Sequence, residues 1–159
     1  GEGYFCNVKH YTDEITGANY ALKELKKTHY PKEEYRYRFL REVKLLDELQ
    51  GCENIIRLIN HGNDTDKEHL WYLMPFAKYN LYNYIKKYNG TLTQSDRYDI
   101  IGQIINALKY AHQRKILHRD ISPNNVLMFF KEGLKVIKMS DFGLGKDTES
   151  LSYYTGSSA

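Results

Sequence analysis

The 159-residue sequence predicts an α+β fold, with a mostly antiparallel sheet and one helix first and a mainly helical part carrying small hairpins after it. Three observations lead there. Apolar and polar residues alternate through the first quarter, the period of strands with one buried face. The longest segment of helical period, residues 93–113, lies in the second half. Short apolar runs separated by turn residues follow it. The composition, 42% hydrophobic and 27% charged with 3 Pro and 11 Gly, is that of a folded chain and excludes collagen-like, linker-like and disordered classes.

The elements follow in order. Residues 5–11 and 20–25 read as strands joined by the turn-rich Asp13-Glu14-Ile15-Thr16-Gly17, hence a hairpin. Alternation in the second strand puts Ala21, Lys23 and Leu25 on one face, so Lys23 sits between apolar neighbours. A helix then starts with Pro31 at its first position and Glu33 and Glu34 in its first turn, where carboxylates favour the positive end of the helix dipole. Phe39, Val43 and Leu46 share one face of it, Glu42 lies beside them, and Gly51 closes it. Residues 55–61 and 69–74 read as a second strand pair around the polar turn 62–68. A short helix over 81–88 ends at Asn89-Gly90. Thr93 with Asp96 forms a capping box for the long helix, whose stripe of Ile100, Ile101, Ile104, Ile105, Leu108 and Ala111 predicts burial. Ile116-Leu117, residues 126–130 and residues 136–140 read as short strands, the last two joined by Lys131-Glu132-Gly133.

Several function classes drop out. The longest apolar runs, 70–74 and 126–130, fall far short of the ~18 residues a membrane span needs. No charged-then-apolar leader opens the chain, so a cytoplasmic location is expected. A net charge of +3 is too small for a general nucleic-acid footprint. Cys6 and Cys52 lack metal-site spacing and do not make a disulfide framework, which fits a reducing compartment. The fifteen tyrosines fit buried rings with wet hydroxyls.

The strongest chemical signal is His118-Arg119-Asp120 with Asn125 five residues after the Asp, followed across a hairpin by Asp141-Phe142-Gly143. Four fixed positions of the first motif arise by chance about once in 160,000 starting points. Phosphoryl transfer needs these residue types: one carboxylate to accept a hydroxyl proton, and a second carboxylate plus an amide oxygen to hold Mg²⁺ against nucleotide phosphates. Asp120, Asp141 and Asn125 supply them. At the other end, Gly1, Gly3 and Val8 fit a G-x-G-x-x-G-x-V frame in which Cys6 takes the third glycine. This frame lies between strands, which disfavours a dinucleotide or P-loop reading. Lys23 in Ala21-Leu22-Lys23 and Glu42, nineteen residues on, suit a phosphate-positioning lysine and its ion-pair partner; a rival helix pair, Arg38 with Glu42, is also available.

With these motifs in this order and spacing, the chain resembles the eukaryotic-type protein kinase family over essentially its whole length. The resemblance implies a two-lobed fold, incomplete here: an N-lobe over 1–74, a hinge over 75–80, and the start of a C-lobe over 81–159 reaching the middle of the activation segment. It implies an isolated piece that is unstable or inactive alone. It also implies ATP and Mg²⁺ as cofactors, a protein substrate, and transfer of the γ-phosphoryl group to Ser or Thr. By the same resemblance Val8, Ala21 and Leu127 sandwich the adenine, and Met74 is the gatekeeper. The Pro75 carbonyl and Ala77 amide meet the base, and Gly1 and Gly3 approach the phosphates. Lys23, Glu42, Asp120, Asn125 and Asp141 form the catalytic set, with Asn125 and Asp141 on the metal. Leu46, Leu58, His118 and Phe142 match a stacked regulatory spine, and ordinary core packing predicts the same burial.

Two positions depart from the family pattern. Cys6 replaces a glycine, and Ser122 stands where serine/threonine kinases usually carry a lysine, while Pro123 keeps the serine/threonine pattern. These departures leave open a nucleotide-binding scaffold without catalysis. A small-molecule kinase of the aminoglycoside-phosphotransferase type is a third reading, which Arg119 and Phe142-Gly143 oppose. Arg119 implies control by phosphorylation of the segment holding Thr148, Ser150, Ser152, Tyr153, Tyr154, Thr155, Ser157 and Ser158.

Overall fold

A computed structural model describes residues 5–64, 69–142 and 146–147. The chain forms two compact units, residues 1–50 with 56–77, and residues 51–55 with 78–159. The predicted Gly1, Gly3 and Gly143 sites, and the Ser, Thr and Tyr residues after Asp147, lie outside the described residues.

In the first unit, β1 (Cys6–Thr12) and β2 (Asn19–Leu25) form the expected hairpin. Its turn is held by the Asp13 carboxylate, which accepts from the amides of Ile15 at 2.9 Å and Thr16 at 2.8 Å. Alternation along β2 buries Ala21, Lys23 and Leu25 as predicted. Helix α1 (Glu33–Glu48) starts after Lys32, so Pro31 precedes the helix instead of opening it; Glu33 and Glu34 do occupy the first turn. Phe39, Glu42, Val43, Leu45 and Leu46 form its buried face, which packs on β2 and on β4 (His69–Pro75). Burial of each such apolar side chain stabilises by about 1.5–3 kcal/mol.

The strand pair after α1 is shorter than the sequence suggests. β3 covers only Asn60–Asp64 and pairs antiparallel with β4, giving the sheet order β1-β2-β4-β3. Ile55 and Ile56 are buried, yet Ile55 makes only an isolated parallel bridge with Met139 in its own unit. An apolar run that serves as buried connection looks like a strand when periodicity alone is read. Gly62, expected in a turn, lies inside β3 opposite Trp71. A Cβ there would stand 2.5 Å from the indole, so the close approach of ring to backbone requires glycine.

The second unit holds β5 (Tyr79–Asn80), α2 (Leu81–Tyr88), α3 (Gln94–Gln113), β6 (Ile116–Leu117), β7 (Val126–Lys131), β8 (Leu134–Met139) and β9 (Lys146–Asp147). Asn80 caps α2 by accepting from the Asn83 amide at 2.8 Å, and Thr93 with Asp96 makes the predicted capping box of α3. β5, β7 and β8 form one sheet and β6 pairs with β9. The β7–β8 turn puts Glu132 and Gly133 at φ 51° and 81°, the two successive positive angles of a tight hairpin. Of the predicted α3 stripe, Ile100 and Ala111 are buried, but Ile101 and Ile105 are exposed. The apolar arc is wider than the contact that β6 and β8 make with α3 among the described residues.

Candidate active site

In the first unit the geometry centres on Lys23. Strand alternation turns its side chain to the buried face, where an isolated ammonium would be costly. Glu42 of α1 meets it, with both carboxylate oxygens accepting from Lys23 Nζ, at 2.8 and 2.9 Å. The Tyr72 hydroxyl donates to Glu42 Oε1 at 2.8 Å, and the Lys23 ammonium lies 5.6 Å from the Tyr72 ring centroid. The rival pairing is not formed: Arg38 pairs with Glu34 one turn back. Tyr72 is a site residue that motif reading overlooks. Its signal is present in the register, because β4 places it directly opposite Lys23.

Val8 also lies opposite Lys23, and Ala21 lies between His10 and Met74. Val8, Ala21 and Met74 therefore share the Lys23 face of the sheet. Beyond Met74, the Phe76 amide donates to the Asn19 carbonyl at 3.1 Å, continuing the ladder with β2. Antiparallel pairing then turns the Pro75 carbonyl and the Ala77 amide away from β2. Proline is tolerated at 75 because that position needs no N–H toward β2. Cys6 is half-buried at the start of β1 and forms no disulfide.

In the second unit β6 leads into the loop of residues 118–125. His118 is 1% exposed; its Nε2–H donates to the Ser140 carbonyl at 2.9 Å, while Nδ1 accepts from the Asp120 amide at 3.3 Å. Burial holds the imidazole below its ordinary pKa, so the neutral ring fits both bonds. The Phe142 ring, 1% exposed, packs on it with centroids 4.5 Å apart. His118 thus joins the Asp120 loop to the strand end before Asp141.

Asp120 itself is exposed. Asn125 Nδ2 donates to the Asp120 backbone carbonyl at 2.8 Å and to its Oδ2 at 3.0 Å. Both bonds use the amide nitrogen and not Oδ1, the acceptor end of the side chain. The Asn125 carbonyl accepts from the Ser140 amide at 2.9 Å and hydroxyl at 3.2 Å, so the chain before Asp141 is tied to the Asp120 loop. Arg119 and Asp141 have φ of 68° and 64°. The left-handed region costs a non-glycine residue about 1–2 kcal/mol, and such strain collects at functional sites. Ser122 is half-buried and precedes the short 3₁₀ turn Pro123–Asn125, its carbonyl accepting from the Asn125 amide at 3.0 Å. Leu127 is half-buried on β7, opposite Asn80 and Lys138.

The donor set suits a hard divalent cation. Carboxylate and amide oxygens, the types that Asp141 and Asn125 carry, match the oxygen preference of Mg²⁺. Among the described residues no group of three or more His, Cys, Asp or Glu side chains could hold a metal, so a dedicated cage of the zinc or calcium type is not formed there. No described helix is long and apolar enough to cross a membrane.

A strand lysine bridged to a helix glutamate, and a His-Arg-Asp loop with an Asn five residues on, each occur in a known class. The profile described as "Protein kinase domain" matches residues 1–158, and the chain belongs to the protein kinase family. It is 33% identical to the serine/threonine-protein kinase ICK of Rattus norvegicus over 98% of this chain and 23% of that protein. It is 32% identical to the serine/threonine-protein kinase MAK of Homo sapiens, over 98% of this chain and 24% of that one. Aurora kinase B of Xenopus tropicalis is 32% identical over 95% of this chain and 40% of its own length. The chain thus spans about a quarter of the length of ICK and MAK.

Proposed function

We propose that this chain supplies nucleotide and catalytic residues for Mg²⁺-dependent transfer of the ATP γ-phosphoryl group to serine or threonine hydroxyls of protein substrates. The observation that carries this is the bidentate Lys23–Glu42 pair at 2.8 and 2.9 Å. A buried ion pair is a weak way to stabilise a fold compared with apolar packing, so its presence here is best explained by work on an anion. Lys23, steadied by Glu42, contacts phosphate oxygens. Val8, Ala21, Met74 and Leu127 contact the base, with the Pro75 carbonyl and Ala77 amide on its polar edge. Gly1 and Gly3 approach the phosphates. Asp120 orients the acceptor hydroxyl and takes its proton, while Asn125 fixes the Asp120 carboxylate. Asp141 and Asn125 hold Mg²⁺, which neutralises phosphate charge when bound.

The names of the ICK and MAK relatives and Pro123 support serine/threonine acceptors. Cys6 and Cys52, which form no disulfide, suit the reducing cytoplasm. The test is γ-phosphate transfer by the intact protein to serine, threonine and tyrosine peptides. Asp120→Asn is expected to lower turnover by about 10²- to 10⁴-fold while sparing nucleotide binding, the scale of a positioned base. Unchanged turnover would refute the assignment. The uncharged Ser122 favours a second reading, a nucleotide-binding scaffold, and binding without any transfer by the wild type would select it.

A further inference from the structure

The sheet face that carries Lys23 continues past Ala21 and Met74. Register lays three cross-strand rows on it: Val8, Lys23 and Tyr72; then His10, Ala21 and Met74; then Thr12 and Asn19 with Phe76. Glu42 meets the first row. Across the other two lies a ring stack. His10 lies on β1 and Phe76 directly follows β4, strands that are not neighbours, yet their rings are nearly parallel at 19° with centroids 3.9 Å apart. They meet across β2, where Ala21 presents only a methyl group.

Asn19 holds this stack from three sides. Its Oδ1 accepts from His10 Nε2–H at 2.7 Å and from the Thr12 hydroxyl at 3.0 Å, while its Nδ2 donates to the Gly17 carbonyl at 3.3 Å. Its own carbonyl takes the Phe76 amide at 3.1 Å. His10 is exposed, so burial does not account for its fixed orientation. What the arrangement immobilises is Phe76, and Phe76 sits between Pro75 and Ala77.

We propose that His10 and Asn19 are positioning residues for base recognition. Pinning Phe76 by ring and amide holds the Pro75 carbonyl and the Ala77 amide in one orientation, ready for the polar edge of a purine beside the apolar Val8–Ala21 surface. Affinity rises because these groups are ordered before the ligand arrives. The inference rests on the nucleotide reading above and adds to it the residues that set affinity for the base as distinct from the phosphates.

The experiment measures binding of adenosine and of Mg-ATP to the intact protein by calorimetry, with steady-state kinetics alongside. His10→Ala and Asn19→Ala are expected to weaken adenosine and ATP by the same factor, about three- to tenfold, the scale of one aromatic contact with its ordering. KM for ATP rises accordingly and kcat stays within about twofold. Lys23→Ala weakens ATP far more than adenosine. His10→Tyr, which keeps a planar ring over Phe76, restores affinity, and Lys9→Ala, whose side chain pairs with Glu24, leaves it unchanged. Wild-type affinity in both alanine variants overturns the inference. So does loss of ATP affinity without loss of adenosine affinity, or a His10→Tyr protein as weak as His10→Ala. A wild type that binds neither ligand refutes the nucleotide reading instead.

Discussion

Replacing Glu42 by Gln tests whether the Lys23–Glu42 pair behaves as a buried unit. The side chains are 10% and 4% exposed, so solvent screens them little. The amide keeps the shape of the carboxylate, and its oxygen still accepts from Tyr72, but the Lys23 ammonium then faces a neutral group. Removing one partner of a buried pair costs about 3–5 kcal/mol, and the retained hydrogen bonds place this variant near the lower end, about 3 kcal/mol. Lys23→Met leaves a buried carboxylate facing a thioether and costs a similar amount. The double variant carries neither charge, so its cost should be no greater than that of the worse single variant. Trp71, the only tryptophan, is adjacent to Tyr72 on β4 and reports unfolding of this unit in urea titrations of the intact protein. Single costs below about 1 kcal/mol, or costs that simply add, would show that the charges are solvated and refute the reasoning.

Two further outcomes follow from the second unit. His118 is held below its ordinary value of 6.5 by burial, so in the window just below pH 6.5 the unfolded chain binds more protons than the folded one. Stability should therefore fall as pH drops through that window, and the urea midpoint of His118→Phe should lose this slope. Asp96 is held at about 2, chiefly by its 2.6 Å hydrogen bond from Lys135 and then by the Thr93 amide. Its contribution is present above pH 3.8 and is lost as pH falls toward 2. Carboxylate NMR titration of Lys135→Met should show the Asp96 midpoint moving up toward 3.8, and an unmoved midpoint would assign the shift to the capping box alone.

Much of this protein was legible without coordinates. Strand alternation turned Lys23 to the buried face, and the Thr93–Asp96 spacing set the start of α3. The His-Arg-Asp and Asp-Phe-Gly motifs brought forward Asp120, Asn125 and Asp141. These signals act between residues a few positions apart, or they name residue types that one reaction needs, so a linear reading reaches them. Other features depended on which strands pair and in what register. Arg38 and Glu42 stand in sequence as a plausible helix pair, yet the sheet brings Lys23 to Glu42 and places Tyr72 opposite it. His10 and Phe76 are separated by most of the first unit and meet only because β2 lies between β1 and β4 with a small residue at 21. The exposed Ile101 and Ile105 show the same limit from the other side, since periodicity names a face that is able to be buried, while the elements that pack against it decide how much of it is.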